Sequence, residues 1–293
     1  MCQLESNITH CSTILSADPL PQRQGTAVPF VKWVGGKRNL LGELRRYLPN
    51  KFNNYYEPFV GGGALFFSLS SSLERAFLSD TNIDLLITYK VIQSQISDLL
   101  ERLEYHAARH CKEYYYSVRN VHDLVDPVDV AARLIYLNKT CFNGLYRVNG
   151  RDEFNVPMGS YKNPAILNVE NLTACSRALV GAEIVFGEFD KITPTKGDFV
   201  YFDPPYHPTT ETSFTKYAKD DFSEKDQVRL CEFYKTLSKK GIYLMLSNSD
   251  TDFIRGLYSK YTVYTVEAPR FVNCKADKRG SVTEVLITNY AND

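Results

Sequence analysis

The fold is decided by the stretch Tyr55-Tyr56-Glu57-Pro58-Phe59-Val60-Gly61-Gly62-Gly63-Ala64-Leu65-Phe66-Phe67, which passes from an apolar strand through a glycine turn into a helix. Such a junction is where open α/β sheets bind ligands. Glycine allows backbone conformations that other residues avoid, and it lets the backbone approach a ligand closely. An isolated glycine turn is weak evidence, since many tight turns look the same, so its interpretation depends on the segments around it.

A second short strand, Ala76-Phe77-Leu78-Ser79-Asp80, follows the turn and ends in an acid. In nucleotide-binding sheets, an acid about 20 residues beyond the glycines accepts hydrogen bonds from ribose hydroxyls. Asp80 stands at about that distance from the turn. The spacing therefore predicts that Asp80 contacts a ribose.

A third apolar run, Phe199-Val200-Tyr201-Phe202, leads directly into Asp203-Pro204-Pro205-Tyr206. Proline lacks the N–H that a sheet requires and fixes its own φ, so the chain must leave the sheet there. The segment that leaves the sheet has a carboxylate, a rigid carbonyl and an aromatic ring. The two oxygens can accept hydrogen bonds from the edge of a flat, amine-bearing ring, and the aromatic ring can stack on its face. Asp-Pro and Pro-Tyr also occur in ordinary turns. Beside the glycine turn, however, this pattern indicates chemistry on the amino group of a nucleobase.

Four blocks, in the same order, give the chain a resemblance to the Dam-type DNA adenine-N6 methyltransferases, the D12 class. They are the segment Phe30–Lys37, the glycine turn with Asp80, the segment Leu137–Arg147 and the tetrapeptide Asp203–Tyr206. The segment Phe154–Tyr161 extends the third block, and the likeness covers roughly residues 29 to 290. Four ordered blocks are far more specific than any one of them.

The resemblance implies an α/β fold with a Rossmann-like sheet that binds S-adenosyl-L-methionine, finished by an antiparallel strand pair. It also implies an inserted, mainly helical domain for DNA recognition. Residues 1–27 are polar and lack periodicity, so we expect a flexible N-terminal tail there. We expect residues 28–86 and 166–293 to form the catalytic domain and residues 87–165 to form the DNA target-recognition domain.

The implied reaction is methyl transfer from S-adenosyl-L-methionine to N6 of adenine. In the tetrapeptide Asp203-Pro204-Pro205-Tyr206, the Asp203 carboxylate and the Pro204 carbonyl are expected to accept hydrogen bonds from the amine. The Tyr206 ring is expected to stack on a base flipped out of the duplex. The positions that match the family's cofactor contacts and the wall around them are Trp33, Lys37, Phe59, Gly61, Gly63, Asp80 and Asp203.

The third block implies contacts with duplex DNA at a GATC site. The residues implicated are Lys32, Phe142, Asn143, Leu145, Arg147, Pro157 and Tyr161, with Lys139 as a further cation of the segment. The aromatic-Asn pair is expected to insert into the duplex where the base leaves. Phe142 stands where tyrosine is common in the family, which keeps the ring and removes a hydroxyl.

The chain has 34 basic and 34 acidic side chains, giving a net charge of zero, whereas dedicated nucleic-acid modules are usually basic. A few side chains suffice for phosphate contacts. We therefore expect local positive faces, and the candidate cations are Lys139, Arg147, Arg151 and Lys162 in the middle of the chain and Lys275, Lys278 and Arg279 near its end.

Seven scattered cysteines without a C-x-x-C arrangement favour reduced thiols in a cytoplasm and supply no recognisable metal-ligand set. No apolar stretch approaches the roughly 20 residues of a membrane span, and the amino terminus lacks a signal-peptide core. We expect a cytoplasmic enzyme without a metal, associated with the nucleoid through double-stranded DNA and working as a monomer.

Three alternatives remain open at this point. Methylation of cytosine at N4 needs the same geometry, although those enzymes usually carry serine at the position of Asp203. Methylation of RNA is disfavoured by the duplex-binding segment. A catalytically inactive DNA-binding regulator on the same fold is the third alternative, although the glycine turn, Asp80, Asp203 and Tyr206 are all present.

Local signals predict where several elements begin. Asp126-Pro127 has an acceptor cap followed by proline in the first turn, which predicts a helix start, and the segment Ser223–Asp226 resembles a capping box. Apolar spacing from Ile92 to Leu103 predicts a helix, whereas residues 138–159 are expected to form loops and a hairpin. Further strands are expected at residues 183–186, 242–246, 261–266 and 282–289.

Overall fold

The computed structural model describes residues 27–209, 222–269 and 281–291. Within these ranges seven strands form one sheet in the order β3-β2-β1-β4-β5-β7-β6. The strands are β1 (Tyr55–Glu57), β2 (Ala76–Asp80), β3 (Ala182–Phe186), β4 (Phe199–Phe202), β5 (Tyr243–Ser249), β6 (Thr262–Pro269) and β7 (Ser281–Thr288). The predicted α/β class with a Rossmann-like sheet is confirmed.

The strand order reverses beside β1. This strand pairs in parallel with β2 on one side, with Tyr55 opposite Ala76, and with β4 on the other, with Tyr55 opposite Phe199. In open parallel sheets, ligands bind at such a reversal, outside the carboxyl ends of the strands. At the far edge β7 runs antiparallel between β5 and β6, which confirms the expected antiparallel finish.

The helices of the described ranges flank this sheet. They are α1 (Leu41–Arg46), α2 (Ala64–Leu69), α3 (Ile83–Ser94), α4 (Ile96–Ala108), α5 (Lys112–Arg119), α6 (Pro127–Thr140), α7 (Val169–Ala178), α8 (Glu224–Lys239) and α9 (Asp252–Leu257). Asp126 caps α6 through its side chain, with Pro127 in the first turn. Ser223 and Asp226 form a reciprocal capping box at the start of α8. Both predicted helix starts are confirmed.

The two faces of the sheet pack into different cores because successive strand residues point in opposite directions. Tyr55, Phe199 and Tyr201 join the core that contains α3 and α6. Val200 and Phe202 join the core under α8. The glycine turn and the tetrapeptide after β4 are therefore both attached to strands that are buried on each face.

Two local predictions differ from the structure. The apolar spacing from Ile92 to Leu103 belongs to two helices, α3 and α4, which are separated at Gln95 by a non-helical backbone (φ −134°, ψ 41°). Helix α6 continues to Thr140, so residues 138–140 are helical rather than part of a loop. Asn138 and Thr140 are buried in the helix because their side chains hydrogen-bond the backbone of Lys32 and of Tyr136.

The proposed domain boundaries meet the structure in two places. The boundary after residue 86 lies inside α3, which is continuous from Ile83 to Ser94, so no linker separates the two expected domains there. Residues 1–26 of the expected tail lie outside the described residues, and Ala27 is buried. The functional division itself stays a prediction. No helix of the described ranges is long and apolar enough to cross a membrane.

Candidate functional site

The three strands at the reversal of the sheet, β1, β2 and β4, each have an acidic residue at the carboxyl end. Glu57 is the last residue of β1, Asp80 is the last residue of β2, and Asp203 follows β4. Because these strands are parallel, their carboxyl ends meet at one edge of the sheet. The structure thus brings together two acids that were predicted for the site and one, Glu57, that was not.

The glycine turn is held by Asp80. The Gly61 N–H donates to Asp80 Oδ2 at 3.0 Å, and the Asn82 N–H donates to Asp80 Oδ1 at 2.9 Å. Each carboxylate oxygen has a further lone pair, so Asp80 can hold the turn and still accept from a ribose. The carboxylate therefore has a structural role that its spacing from the glycines did not reveal.

Two positions in the turn require glycine. Gly61 has φ +46°, and a Cβ there would lie 2.7 Å from Trp33 Cδ1. Gly63 has φ +66°, and a Cβ there would lie 2.5 Å from the Tyr89 hydroxyl. Both backbone conformations are rare for other residues. The turn is thus packed closely beneath the indole of Trp33.

Aromatic rings surround the turn. Trp33 stacks on Tyr146 with the ring centroids 5.0 Å apart, and Phe59 stacks on Phe189 at 5.5 Å. Phe189 lies just after β3 and was not predicted for the site. Tyr146 belongs to the third block, and no role in the site was predicted for it. These contacts place apolar faces on two sides of the acids.

Glu57 is buried beneath the turn. Its Oε2 accepts from the Tyr55 hydroxyl at 2.7 Å and from the Phe66 N–H at 3.2 Å. Burial raises the pKa of Glu57 to about 8, and the charges of Asp203 and Asp80 add to the rise against the two hydrogen bonds. The side chain is therefore protonated over much of the neutral range until a cation or donor approaches it.

Asp203 forms a buried cluster with Lys37 and Ser247. Lys37 Nζ lies 2.8 Å from Asp203 Oδ1, and the Ser247 hydroxyl donates to the same oxygen at 2.8 Å. Ser247 in turn is 2.9 Å from the Tyr201 hydroxyl. Both contacts fall on Oδ1, so Oδ2 has no hydrogen-bond partner within the described part of the chain. Ser247 was not predicted for the site.

Lys37 also fixes the surroundings of Tyr206. Its ammonium donates to the Gly35 carbonyl at 2.6 Å and lies 4.5 Å from the centroid of the Tyr206 ring. The Tyr206 hydroxyl donates to Glu284 Oε2 at 2.7 Å. Pro204 is buried and Pro205 is exposed. Two of the four predicted catalytic residues, Asp203 and Tyr206, therefore contact the predicted cofactor residue Lys37.

Asn138, a buried residue of α6, links two of the segments that carry the predicted DNA-contacting residues. The Lys32 N–H donates to Asn138 Oδ1 at 2.8 Å, and Asn138 Nδ2 donates to the carbonyls of Lys32 and Gly144 at 2.8 and 3.0 Å. Lys32 Nζ lies 3.4 Å from the Tyr161 hydroxyl. One amide side chain thus joins the amino-terminal block to the third block. Asn138 belongs to the third block, and no role was predicted for it.

A hairpin carries the remaining predicted contacts, with Cys141 bridged to Met158 and Val148 bridged to Phe154. Phe142 is 47% exposed despite its apolar ring, and its N–H donates to the Pro157 carbonyl at 2.9 Å. Pro157 is itself exposed. Asn143 is exposed with φ +57°, a conformation that asparagine tolerates better than most residues. The aromatic-Asn pair therefore stands on the surface, next to Pro157.

Leu145 follows Gly144 in an extended backbone conformation (φ −72°, ψ 144°), and Arg147 lies two residues further along the hairpin. Leu145 is half-buried against the core, and Arg147 is exposed. Arg147 Nε donates to Asn155 Oδ1 at 2.6 Å, which orients the guanidinium without using its Nη1 hydrogens.

The cations of the expected positive faces differ in exposure. Lys139 is half-buried on α6, and burial lowers its pKa, with the charges of Lys32 and Arg38 adding to the effect. Arg151 and Lys162 are exposed. Lys275, Lys278 and Arg279 lie outside the described residues. Lys32, Arg38 and Lys139 are therefore close enough for their charges to interact, and the DNA-binding role of the expected cations stays a prediction.

A family model described as D12 class N6 adenine-specific DNA methyltransferase matches residues 33–271. The chain belongs to this family. The expected resemblance is confirmed, and the chain is an enzyme that transfers a methyl group to adenine N6 in DNA. Because the family is adenine-specific, the match decides against the cytosine-N4 alternative.

Three relatives illustrate the likeness of this methyltransferase to known proteins. It is 44% identical over 286 residues to the type II methyltransferase M.MjaIII of Methanocaldococcus jannaschii, covering 89% of this chain and 99% of that protein. It is 42% identical over 274 residues to the type II methyltransferase M1.LlaDCHI of Lactococcus lactis subsp. cremoris, covering 90% and 96%. It is 33% identical over 262 residues to the DNA adenine methylase of Escherichia coli K12, covering 88% and 93%.

The methyl donor of the methyltransferase is S-adenosyl-L-methionine, which supplies a methyl group on a positively charged sulfur when it is bound. The site suits such a molecule. Asp80 and Glu57 offer oxygens to hydroxyl and ammonium groups, and the Phe59–Phe189 pair offers an apolar face. Gly61 and Gly63 let the turn pack against Trp33 and Tyr89, where a Cβ would clash.

Proposed function

We propose that this methyltransferase acts on GATC in double-stranded DNA, as a monomer, after it has flipped the target adenine out of the helix. One observation carries the proposal. The short segment from Lys32 to Lys37 connects three sites, because Lys32 joins the exposed hairpin, Trp33 covers the glycine turn and Lys37 pairs with Asp203. A base delivered from the hairpin would thus arrive beside both the turn and the acid.

The proposed catalytic step depends on two acceptors. Adenine N6 is a poor nucleophile because its lone pair is delocalised into the ring. Hydrogen bonds from N6–H to Asp203 Oδ2 and to the Pro204 carbonyl favour a more pyramidal amine, which directs electron density toward the methyl carbon. Asp203 need not remove a proton first, since the proton can leave after transfer. Positioning of the amine supplies much of the remaining acceleration.

Lys37 and Tyr206 complete this proposal. The ammonium of Lys37 holds Asp203 Oδ1 at 2.8 Å, so the carboxylate presents Oδ2 in a fixed direction. The Tyr206 hydroxyl is anchored on Glu284, so the ring is restrained and can stack on the flipped base. Stacking of this kind is one of the interactions that read an extruded nucleotide.

Base flipping is supported by the exposed pair Phe142-Asn143. An exposed phenylalanine has no partner in its own core, and an apolar side chain can enter a duplex by unstacking a base step at a cost of a few kcal/mol. Phe142 lacks the hydroxyl of the tyrosine common in the family, so we assign it stacking alone. Asn143 supplies donors and acceptors for the base left behind.

Sequence recognition is assigned to the same surface. Arginine makes the commonest bidentate contact with guanine O6 and N7, and leucine can pack against the thymine methyl group. Arg147 and Leu145 therefore take these two roles. Lys32, Pro157 and Tyr161 flank them and are assigned to the outer base pairs, while Lys139 is assigned to phosphate.

The proposal is tested by mapping methylated adenines in the genome of a host that lacks GATC methylation and expresses this chain. We expect every modified adenine within GATC and protection from an endonuclease that cuts only unmethylated GATC. Methylation of another tetramer would refute the GATC assignment. Transfer to single-stranded DNA or RNA at the duplex rate would refute duplex specificity.

Flipping has a separate test. A GATC duplex with 2-aminopurine in place of the target adenine should fluoresce more strongly on binding, because the base leaves the stack. Phe142→Ala should reduce this change. An unchanged signal with bound wild-type enzyme would contradict flipping without affecting the GATC assignment.

A further inference from the structure

The tetrapeptide after β4 is a loop whose two prolines cannot donate backbone hydrogen bonds. Pro204 and Pro205 have no N–H to donate, so the first backbone N–H after Asp203 belongs to Tyr206. We propose that Gln227 and Asn248 are positioning residues that fix the backbone on both sides of Tyr206. This inference rests on the proposed roles of Asp203 and Tyr206.

Three hydrogen bonds close a circuit around Tyr206. Gln227 Nε2 donates to the Pro205 carbonyl at 2.9 Å. Asn248 Nδ2 donates to Gln227 Oε1 at 3.1 Å. The His207 N–H then donates to Asn248 Oδ1 at 3.0 Å. Pro205 and His207 are the two neighbours of Tyr206, so the two amides hydrogen-bond the backbone directly before and directly after the tyrosine.

The chemistry allows only one orientation of the two amides. The Pro205 carbonyl can only accept, so Gln227 must present its NH₂ group there. Its carbonyl oxygen then faces Asn248, which must present its own NH₂ group. Asn248 Oδ1 is left to accept from the His207 N–H, and it also accepts from the Ser249 N–H at 2.8 Å.

The two amides come from elements that are fixed by the core. Gln227 lies on α8 and is 1% exposed, and Asn248 lies on β5 and is 0% exposed. A buried amide that loses its hydrogen-bond partner keeps the desolvation penalty without compensation, so both side chains strongly favour the closed circuit. The strand and the helix thereby determine where the loop runs.

His207 receives further support on its other side. The Ser249 hydroxyl donates to the His207 carbonyl, and the imidazole lies 3.2 Å from both Glu224 Oε1 and Thr251 Oγ1. The far end of the loop is therefore anchored independently. Loss of the amide circuit should displace Tyr206 and Pro205 rather than unfold the loop.

The consequence concerns the rate of methyl transfer rather than binding. Both amide groups are buried and bond to each other and to the loop backbone, so each acts through the backbone that carries Tyr206. Misplacement of about 1 Å can reduce a rate by about 100-fold. The affinity for S-adenosyl-L-methionine depends on the glycine turn and should change little.

The test uses Gln227→Met, which keeps the length of the side chain and removes its donor and acceptor. The matched control is Gln93→Met, because Gln93 also donates to two backbone carbonyls, of Leu179 at 2.7 Å and Ala182 at 2.8 Å, but lies away from the loop. We expect Gln227→Met to lower the single-turnover rate on a GATC duplex by about 10- to 100-fold. Its Kd for S-adenosyl-L-methionine should stay near that of Gln93→Met.

A second variant gives a readout that a merely structural role would not move. In Gln227→Glu the protonated carboxyl can donate to the Pro205 carbonyl, whereas the ionised carboxylate repels it. The rate of this variant relative to wild type at the same pH should therefore rise as the pH falls. This measurement also decides the matter if Gln227→Met fails to fold.

Two results would overturn the inference. One is a Gln227→Met rate within about twofold of the Gln93→Met rate, since misplacement should cost far more. The other is a relative rate of Gln227→Glu that does not depend on pH. Asp203→Asn is measured alongside, because activity in that variant would refute the proposed catalytic site itself and not the amide circuit.

Discussion

The Lys37 ammonium lies 2.8 Å from Asp203 Oδ1, and the two side chains are only 6% and 18% exposed. A charge pair covered to this degree links stability to activity, because removing one partner leaves the other without compensation. The two contributions can be separated by substituting both residues.

We expect Asp203→Ala to abolish methyl transfer and to lower the free energy of unfolding by about 3 kcal/mol, since it leaves a buried ammonium unpaired. The double variant Lys37→Met/Asp203→Asn should recover most of the stability but none of the activity. Urea unfolding and a labelled-methyl assay measure the two quantities.

The control for this pair is Lys191→Met. Lys191 is 76% exposed and lies 3.8 Å from Asp190, so its loss should change stability by no more than about 1 kcal/mol. If Asp203→Ala were as stable as this control, or if the double variant were active, the coupling would be disproved.

Gly61→Ala should weaken binding of S-adenosyl-L-methionine, because a Cβ there would lie 2.7 Å from Trp33 Cδ1 on a backbone with φ +46°. The matched control is Gly42→Ala in α1, where a Cβ would meet no atom within 4 Å. In a helix that change should leave binding unchanged and stabilise the fold by up to about 1 kcal/mol. Trp33 is the only tryptophan, so its fluorescence reports binding directly. Equal affinities of the two variants for S-adenosyl-L-methionine would show that the glycine turn is not part of the cofactor site.

Glu57 should make the stability of the cofactor-free enzyme fall as the pH rises. Its folded pKa of about 8 exceeds the unfolded value of about 4.3, so between these values the folded state binds a proton that the unfolded state has released. The stabilisation is complete below the lower value and is lost as the pH rises through the higher one, with a limiting slope of about 1.4 kcal/mol per pH unit.

Glu57→Gln should remove most of this slope, because its amide oxygen still accepts from the Tyr55 hydroxyl and the Phe66 N–H and cannot ionise. Urea unfolding at several values between pH 5 and 8 measures the difference. Parallel curves for wild type and variant would show that Glu57 does not titrate in this window.

Arg147→Ala should relax discrimination between GATC and its single-base variants by about 1–3 kcal/mol, because a bidentate base contact is lost. Arg151 lies on the same hairpin and is also exposed. Arg151→Ala should weaken binding to all duplexes alike, as expected for a phosphate contact. The ratio of kcat/KM across the variant sites measures this. A uniform loss for Arg147→Ala would reassign it to the DNA backbone.

The fold and the acids of the site could be predicted because they depend on local patterns. Apolar runs mark β2 and β4, and the carboxyl ends of parallel strands must meet, so Asp80 and Asp203 fall together. The cap at Asp126 and the capping box at Ser223 are equally local, since they need only residues two or three positions apart.

The residues that were missed act over long distances in sequence. β5 continues through Ser247, Asn248 and Ser249, although its apolar run ends at Leu246. Their polar side chains are buried because they bond to the loop after β4, about 40 positions earlier in the chain. Likewise Asn138 joins Lys32 across 106 positions. No periodicity in the sequence indicates such partners.

Methyl transfer to a short GATC duplex, with the product nucleoside identified by mass spectrometry, tests the catalytic role of Asp203 most directly. The wild-type enzyme should produce N6-methyladenine in GATC alone, and Asp203→Asn should bind S-adenosyl-L-methionine but produce none. Near wild-type formation of N6-methyladenine by Asp203→Asn would contradict this role.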